Sequence, residues 1–146
     1  MTKEEFVQHV KSDTLPMYRL AYSILQNSAD AEDAVSEAIV HAYEKLDTLK
    51  KADSFRNWIL QIAANEAKKI YRQNKRTSPV EWEENLSPEF YDEHHELWDA
   101  VMQLDGGYRD VIVLFYYERC TIPEISRILE LSLIHISEPT RQAEIS

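Results

Sequence analysis

The sequence predicts an all-α protein of two small helical domains joined by a flexible linker. Three observations carry this. The 146 residues include only two glycines, adjacent at Gly106 and Gly107, and five prolines, so long stretches run without helix breakers. Apolar residues recur at helical spacing in successive blocks. An acidic stretch at residues 78–94, containing Pro79 and Pro88, separates the first blocks from the last and reads as a linker.

In the first domain, residues 1–77, Phe6, Val10 and Leu15 open a helical block. Tyr18, Leu20, Ala21, Ile24 and Leu25 continue it after Pro16, a residue tolerated in a helix's first turn. Asn27-Ser28 reads as a stop. Ser28 or Asp30 caps the next helix, whose early acids suit the positive end of the helix dipole. That helix runs to about Leu46 and buries Ala31, Ala34, Val35, Ala38, Ile39, Ala42 and Tyr43. Asp47–Asp53 is a polar loop, and Asp53 or Ser54 caps a third helix carrying Phe55, Trp58, Ile59, Ile62, Ala63, Ala67, Ile70 and Tyr71.

In the second domain, residues 95–132, one helix spans His95–Leu104 and ends at Asp105-Gly106-Gly107. Another spans Tyr108–Arg119 with Val111, Ile112, Leu114, Phe115 and Tyr116 inward. A short helix starts at Thr121, where Glu124 completes a capping box, Pro123 fits the first turn, and Ile125, Ile128 and Leu129 face the core.

The formal net charge is −10, which alone argues against nucleic acid as a partner. Its distribution reverses that impression. Residues 1–77 balance at +1 and residues 78–146 at −11, with no Lys in the latter. Six basic residues (Arg56, Lys68, Lys69, Arg72, Lys75 and Arg76) stand against the single acid Glu66 over residues 56–76. Such a stripe is either a solvated helix end or a phosphate-binding surface.

Other functions are poorly served. No apolar run is long enough to span a bilayer, and MTKEEFVQHV is not signal-like, so a cytoplasmic protein without membrane insertion is expected. The single Cys120, in an apolar stretch, rules out an internal disulfide. His94-His95 lacks a third metal ligand nearby. No catalytic constellation stands out, so neither an enzyme nor a cofactor is expected.

Two segments, AYSILQNSADAEDAVSEA (21–38) and SFRNWILQIAANEAKKIYR (54–72), resemble the extracytoplasmic-function (ECF) group of bacterial RNA polymerase sigma factors. QLDGGYRDVIVLFYYERCTIPEISRILELS (103–132) resembles the start of region 4 in that family, with residues 1–77 corresponding to region 2. The resemblance implies a transcription initiation factor that binds core RNA polymerase and recognises and melts the promoter −10 element. It implies that the helix after Asn27 packs on the polymerase clamp coiled coil, with Asp33, Ser36, Glu37 and Val40 outward. It places a flipped base of the −10 element at the loop Leu49–Ser54, with Lys50, Lys51, Ser54, Phe55 and Asn57 around it. Lys68, Lys69, Arg72, Lys75 and Arg76 would meet phosphates, and Trp58 and Tyr71 could stack on bases. Trp58 reads more readily as core, and Tyr71 as either. An anti-sigma factor is the further implied partner. The alternative is an interaction module that regulates polymerase or a sigma factor without reading DNA.

The chain departs from the family at several positions. Ser36 replaces a common Gln, Lys69 falls where an acid is frequent, and Glu130 stands where Gly is usual at the helix-turn-helix turn. A positive φ there would cost a non-glycine residue about 1 kcal/mol. After Leu131-Ser132 the family continues with a basic recognition helix, whereas this chain reads LIHISEPTRQAEIS, broken by Pro139. LSLIHISEPTR resembles a translated sequencing adapter. Residues 133–146 are therefore expected to be a non-native tail, with recognition of the −35 element lost. The second domain is expected to be the less stable, with inner faces of Val113 and Leu129 exposed.

Overall fold

The computed structural model describes residues 1–49, 54–77 and 95–130, with side chains for all of these except 75–77 and 95. The expectations for Lys50, Lys51, the linker 78–94, the tail from Leu131 and the side chains of Lys75 and Arg76 lie outside the described residues. Every regular element among those described is helical.

Helix α1 runs from Lys3 to Leu25, capped by Thr2, whose hydroxyl accepts from Glu5 N at 3.1 Å. The block continues through Pro16, which lies in the helix interior and not in a first turn. Proline removes one backbone donor, but Phe6 before it and Met17, Leu20 and Ala21 after it are all buried in one core, and this packing outweighs the lost bond. The helix ends at Gln26, which adopts φ 51 and donates from its side chain to Met102 O at 2.8 Å.

Helix α2 spans Ser28–Glu44. Its cap is Asn27, one residue before the expected position: the Asn27 side chain accepts from Asp30 N at 2.9 Å. The buried face is Ala31, Ala34, Val35, Ala38 and Ala42, small residues that let the helices approach closely. Tyr43, expected inside, is exposed and meets Phe6 edge-on. The helix stops at Glu44, and Leu46–Thr48 forms a single 3-10 turn.

Helix α3 spans Phe55–Thr77 and starts where Ser54 Oγ accepts from Asn57 N at 3.3 Å. It buries Ile59, Leu60, Ala63, Ala64 and Ala67 between α1 and α2, making a three-helix bundle.

Helix α4, His95–Met102, is shorter than expected, and α5, Gly106–Ile112, opens at the glycines instead of after them, with Asp105 as its N-cap residue. The helix then widens into a π-type turn, Val113–Tyr117. Val113 and Leu114 are buried, but Ile112, Phe115 and Tyr116 are exposed, contrary to expectation. Every position of VIVLFYY is apolar or aromatic, so periodicity could not choose the inner face, and the wider turn shifts the phase of the side chains after Ile112. Helix α6, Ile122–Leu129, has the expected capping box: Thr121 Oγ1 accepts from Glu124 N, and the Glu124 carboxylate accepts from Thr121 N.

Helices α4 to α6 lie against the first bundle and share its core. Trp98 is 2% exposed, with its ring 6.2 Å from that of Tyr22 and 5.3 Å from that of Tyr117. Ile125, Ile128 and Leu129 seal α6 onto α3. Val113 and Leu129 are thus buried, not exposed as expected, because α1 and α3 supply cover that a reading of residues 95–132 alone omits.

Candidate nucleic-acid and polymerase interfaces

Helix α3 carries most of the expected DNA-facing residues, and its packing sorts them into three groups. Phe55 is buried among the rings of Phe6, His9 and Trp58, and Trp58 is half-buried against the same core. Ser54, Lys69, Tyr71 and Arg72 are exposed. Asn57 and Lys68 face α6: Asn57 Nδ2 donates to Glu124 Oε2 at 2.6 Å, and Lys68 Nζ donates to Leu129 O at 2.7 Å. On α2, Asp33, Ser36, Glu37 and Val40 all lie exposed, at the spacing of one helix face opposite the alanines.

Sequence reasoning missed a buried ionic clasp. The Glu118 side chain is 1% exposed; one carboxylate oxygen takes Arg19 Nη2 at 2.7 Å and the other Arg56 Nη2 at 3.0 Å. Arg56 also donates to the Glu118 carbonyl, and Arg19 lies over the Tyr117 ring at 5.7 Å. Arg19 and Arg56 stand 99 and 62 residues from Glu118, so no local signal could join them. Gln61 and Asn65 were also missed; both donate to Glu130 Oε1, at 3.0 and 3.3 Å.

Glu130 has φ 57, as its replacement of a glycine implies. The amides of Gln61 and Asn65 hold its carboxyl below the usual range. Glu124 is lowered too, chiefly by the Thr121 N–H and then by Asn57. Burial pushes Asp110 up to about 6, against the opposing pull of its hydrogen bond to Val111 N and of Lys68. Burial also raises Asp13, opposed by Arg56. Cys120 is buried, as expected, and its thiol is pushed up to about 11. Among the described residues there is no cluster of three metal-ligating side chains, and no helix is long and apolar enough to cross a membrane.

Comparison with known proteins fits this geometry. The family model for sigma-70 region 2 matches residues 12–77, and that for sigma-70 region 4 matches residues 94–136. RNA polymerase sigma factor SigV of Bacillus subtilis is 28% identical over 131 residues, covering 87% of this chain and 79% of the relative. ECF RNA polymerase sigma factor SigW of the same organism is 28% identical over 134 residues, covering 79% and 72%. Two solved structures share the fold. The sigma factor RpoE, in complex with the anti-sigma factor NepR from Bartonella quintana, superposes with a TM-score of 0.79 at 18% identity, covering 97% of this chain and 93% of that one. CnrH, in complex with the cytosolic domain of CnrY, gives 0.67 at 24% identity, covering 99% and 85%. With region 2 matched on α1 to α3 and region 4 on α4 to α6, the chain belongs to the sigma-70 family, as a sigma factor of the ECF type.

Proposed function

We propose that this sigma factor docks on the clamp coiled coil of core RNA polymerase through α2, and engages and parts the promoter −10 element with α3 and the loop before it. The observation that carries this reading is the separation of two exposed faces on one bundle. Helix α2 presents Asp33, Ser36, Glu37 and Val40, while α3 presents Lys69, Tyr71 and Arg72. Cations on a rigid helix suit phosphates, and an exposed tyrosine ring suits an unstacked base. The protein acts in the cytoplasm, as an initiation factor and not as an enzyme.

Core-dependent promoter opening in vitro is the direct test. Lys69→Ala with Arg72→Ala should weaken promoter binding and flatten its dependence on salt by about one unit per lost phosphate contact. No binding to core polymerase would overturn the reading. The acidic balance of residues 78–146 favours a second reading, a module that holds polymerase without touching DNA. Unchanged promoter activity after replacing Arg72, Lys75 and Arg76 by Ala would favour that module.

An anti-sigma factor is the natural regulatory partner, by likeness to RpoE with NepR. The exposed row Tyr108, Ile112, Phe115 and Tyr116 supplies apolar surface for such a protein.

A further inference from the structure

We propose that His9 of α1 is a stacking surface for an unpaired base of the parted promoter strand, a DNA contact on a helix other than α3. The inference rests on the reading of the N-terminal end of α3 as the place where the −10 element is parted.

Phe55, the first ring of α3, is buried and so offers little surface to a base. Phe6 and Trp58 hold it, with ring centroids 5.8 and 5.7 Å away and planes at 81° and 58°. The ring that reaches solvent over Phe55 comes from α1. His9 is exposed, and its imidazole lies 4.9 Å from the Phe55 ring at an interplanar angle of 30°, close to an offset stack. Helical spacing explains the placement. Phe6, three residues before His9, and Asp13, four residues after it, are both buried. His9 shares their face of α1, so its ring is carried toward the start of α3.

This arrangement suits a base better than it suits a cover. One side of the imidazole rests on an aromatic cluster fixed by two helices, while the residue stays exposed. A base that stacks on the ring meets a side chain already ordered, so little rotamer freedom is lost on binding. Every base has a π-face, so the contact demands no particular sequence. As a lid for Phe55 alone, a polar ring that remains in water gains little.

The test compares two fluorescein-labelled single strands, read by anisotropy with the full chain. One is a DNA 20-mer of mixed sequence; the other has the same length but its sugars carry no bases. Circular dichroism confirms the helical content and Tm of each variant. His9→Ala should weaken binding of the base-bearing strand about ten-fold and leave the abasic strand unchanged. His9→Phe should keep the unaltered affinity for both. Equal losses on the two strands, or no rescue by His9→Phe, would overturn the proposal, since the residue would then act through fold or charge. So would an unchanged affinity of His9→Ala for the base-bearing strand. If Lys69→Ala with Arg72→Ala still weakens both strands in that case, α3 stands as a DNA surface and only the His9 contact falls. If neither set of substitutions changes binding, both fall. Should the free chain bind neither strand, promoter opening by the holoenzyme decides: His9→Ala should slow it and His9→Phe restore it, and unchanged opening would overturn the contact.

Discussion

Glu118→Gln is the sharpest test of how α4 to α6 are held to the first bundle. The carboxylate is sequestered from water and stands between Arg19 and Arg56 at 2.7 and 3.0 Å. Glutamine preserves the volume and one oxygen but leaves two guanidinium groups sharing a site without an anion. Breaking a buried pair from one side costs about 3–5 kcal/mol. The side chains of Arg19 and Arg56 are 19% and 38% exposed, so water recovers part of their solvation, and a loss of about 2–3 kcal/mol is expected. For a chain of this length that lowers the Tm by roughly 4–12 °C. Urea unfolding followed by tryptophan fluorescence, with calorimetry for the Tm, measures both quantities. In a double-mutant cycle with Arg19→Met, the coupling should exceed about 1 kcal/mol. A loss below about 0.5 kcal/mol, or strict additivity in the cycle, would show that Glu118 acts as an ordinary surface acid and would refute the clasp.

Other outcomes are expected from the same packing. Asp110 holds its proton more tightly in the folded chain, with a pKa of about 6 against an ordinary 3.8, so it withdraws stability as pH rises through that window and throughout the range above it. Asp110→Asn should therefore raise stability by about 1–3 kcal/mol at pH 7.5 and by much less at pH 4; equal thermal shifts at both values would contradict this. Trp98→Ala should cost about 3–5 kcal/mol and speed amide exchange in α4, because the ring fills the space between Tyr22 and Tyr117. Thr121→Ala removes one arm of the capping box and should cost about 1 kcal/mol in chemical denaturation. The Cys120 thiol should react with an aromatic disulfide reagent at pH 8 only as fast as the chain opens, and rapidly in urea.

Much of the architecture was legible because it is local. The box at Thr121 and Glu124 needs only residues three apart, and the alanine-rich inner face of α2 needs only a period. Two blocks of motif spacing were enough to place the chain in its family. Near misses at the level of caps were of one kind. Asn27 and Ser28 can both cap, and which one does depends on where the backbone turns extended. The apolar run VIVLFYY failed for a different reason. Periodicity could not choose its inner face, and packing against the first bundle put Val113 and Leu114 inside.

The expected frailty of residues 95–132 also changes in this light, since Val113, Leu129 and Trp98 bury themselves against helices the local reading had assigned to another domain. By itself the sequence determined helix content, the capping box of α6 and the family, since each of these is set by residues within a few turns of one another. Only the tertiary structure decided that Glu118 would lie between Arg19 and Arg56, and that Asn57, Gln61, Asn65 and Lys68 would face the oxygens of α6. Those pairings join residues more than sixty positions apart, and an isolated donor or acceptor carries no mark of its partner until burial of the shared core brings the two helices into register.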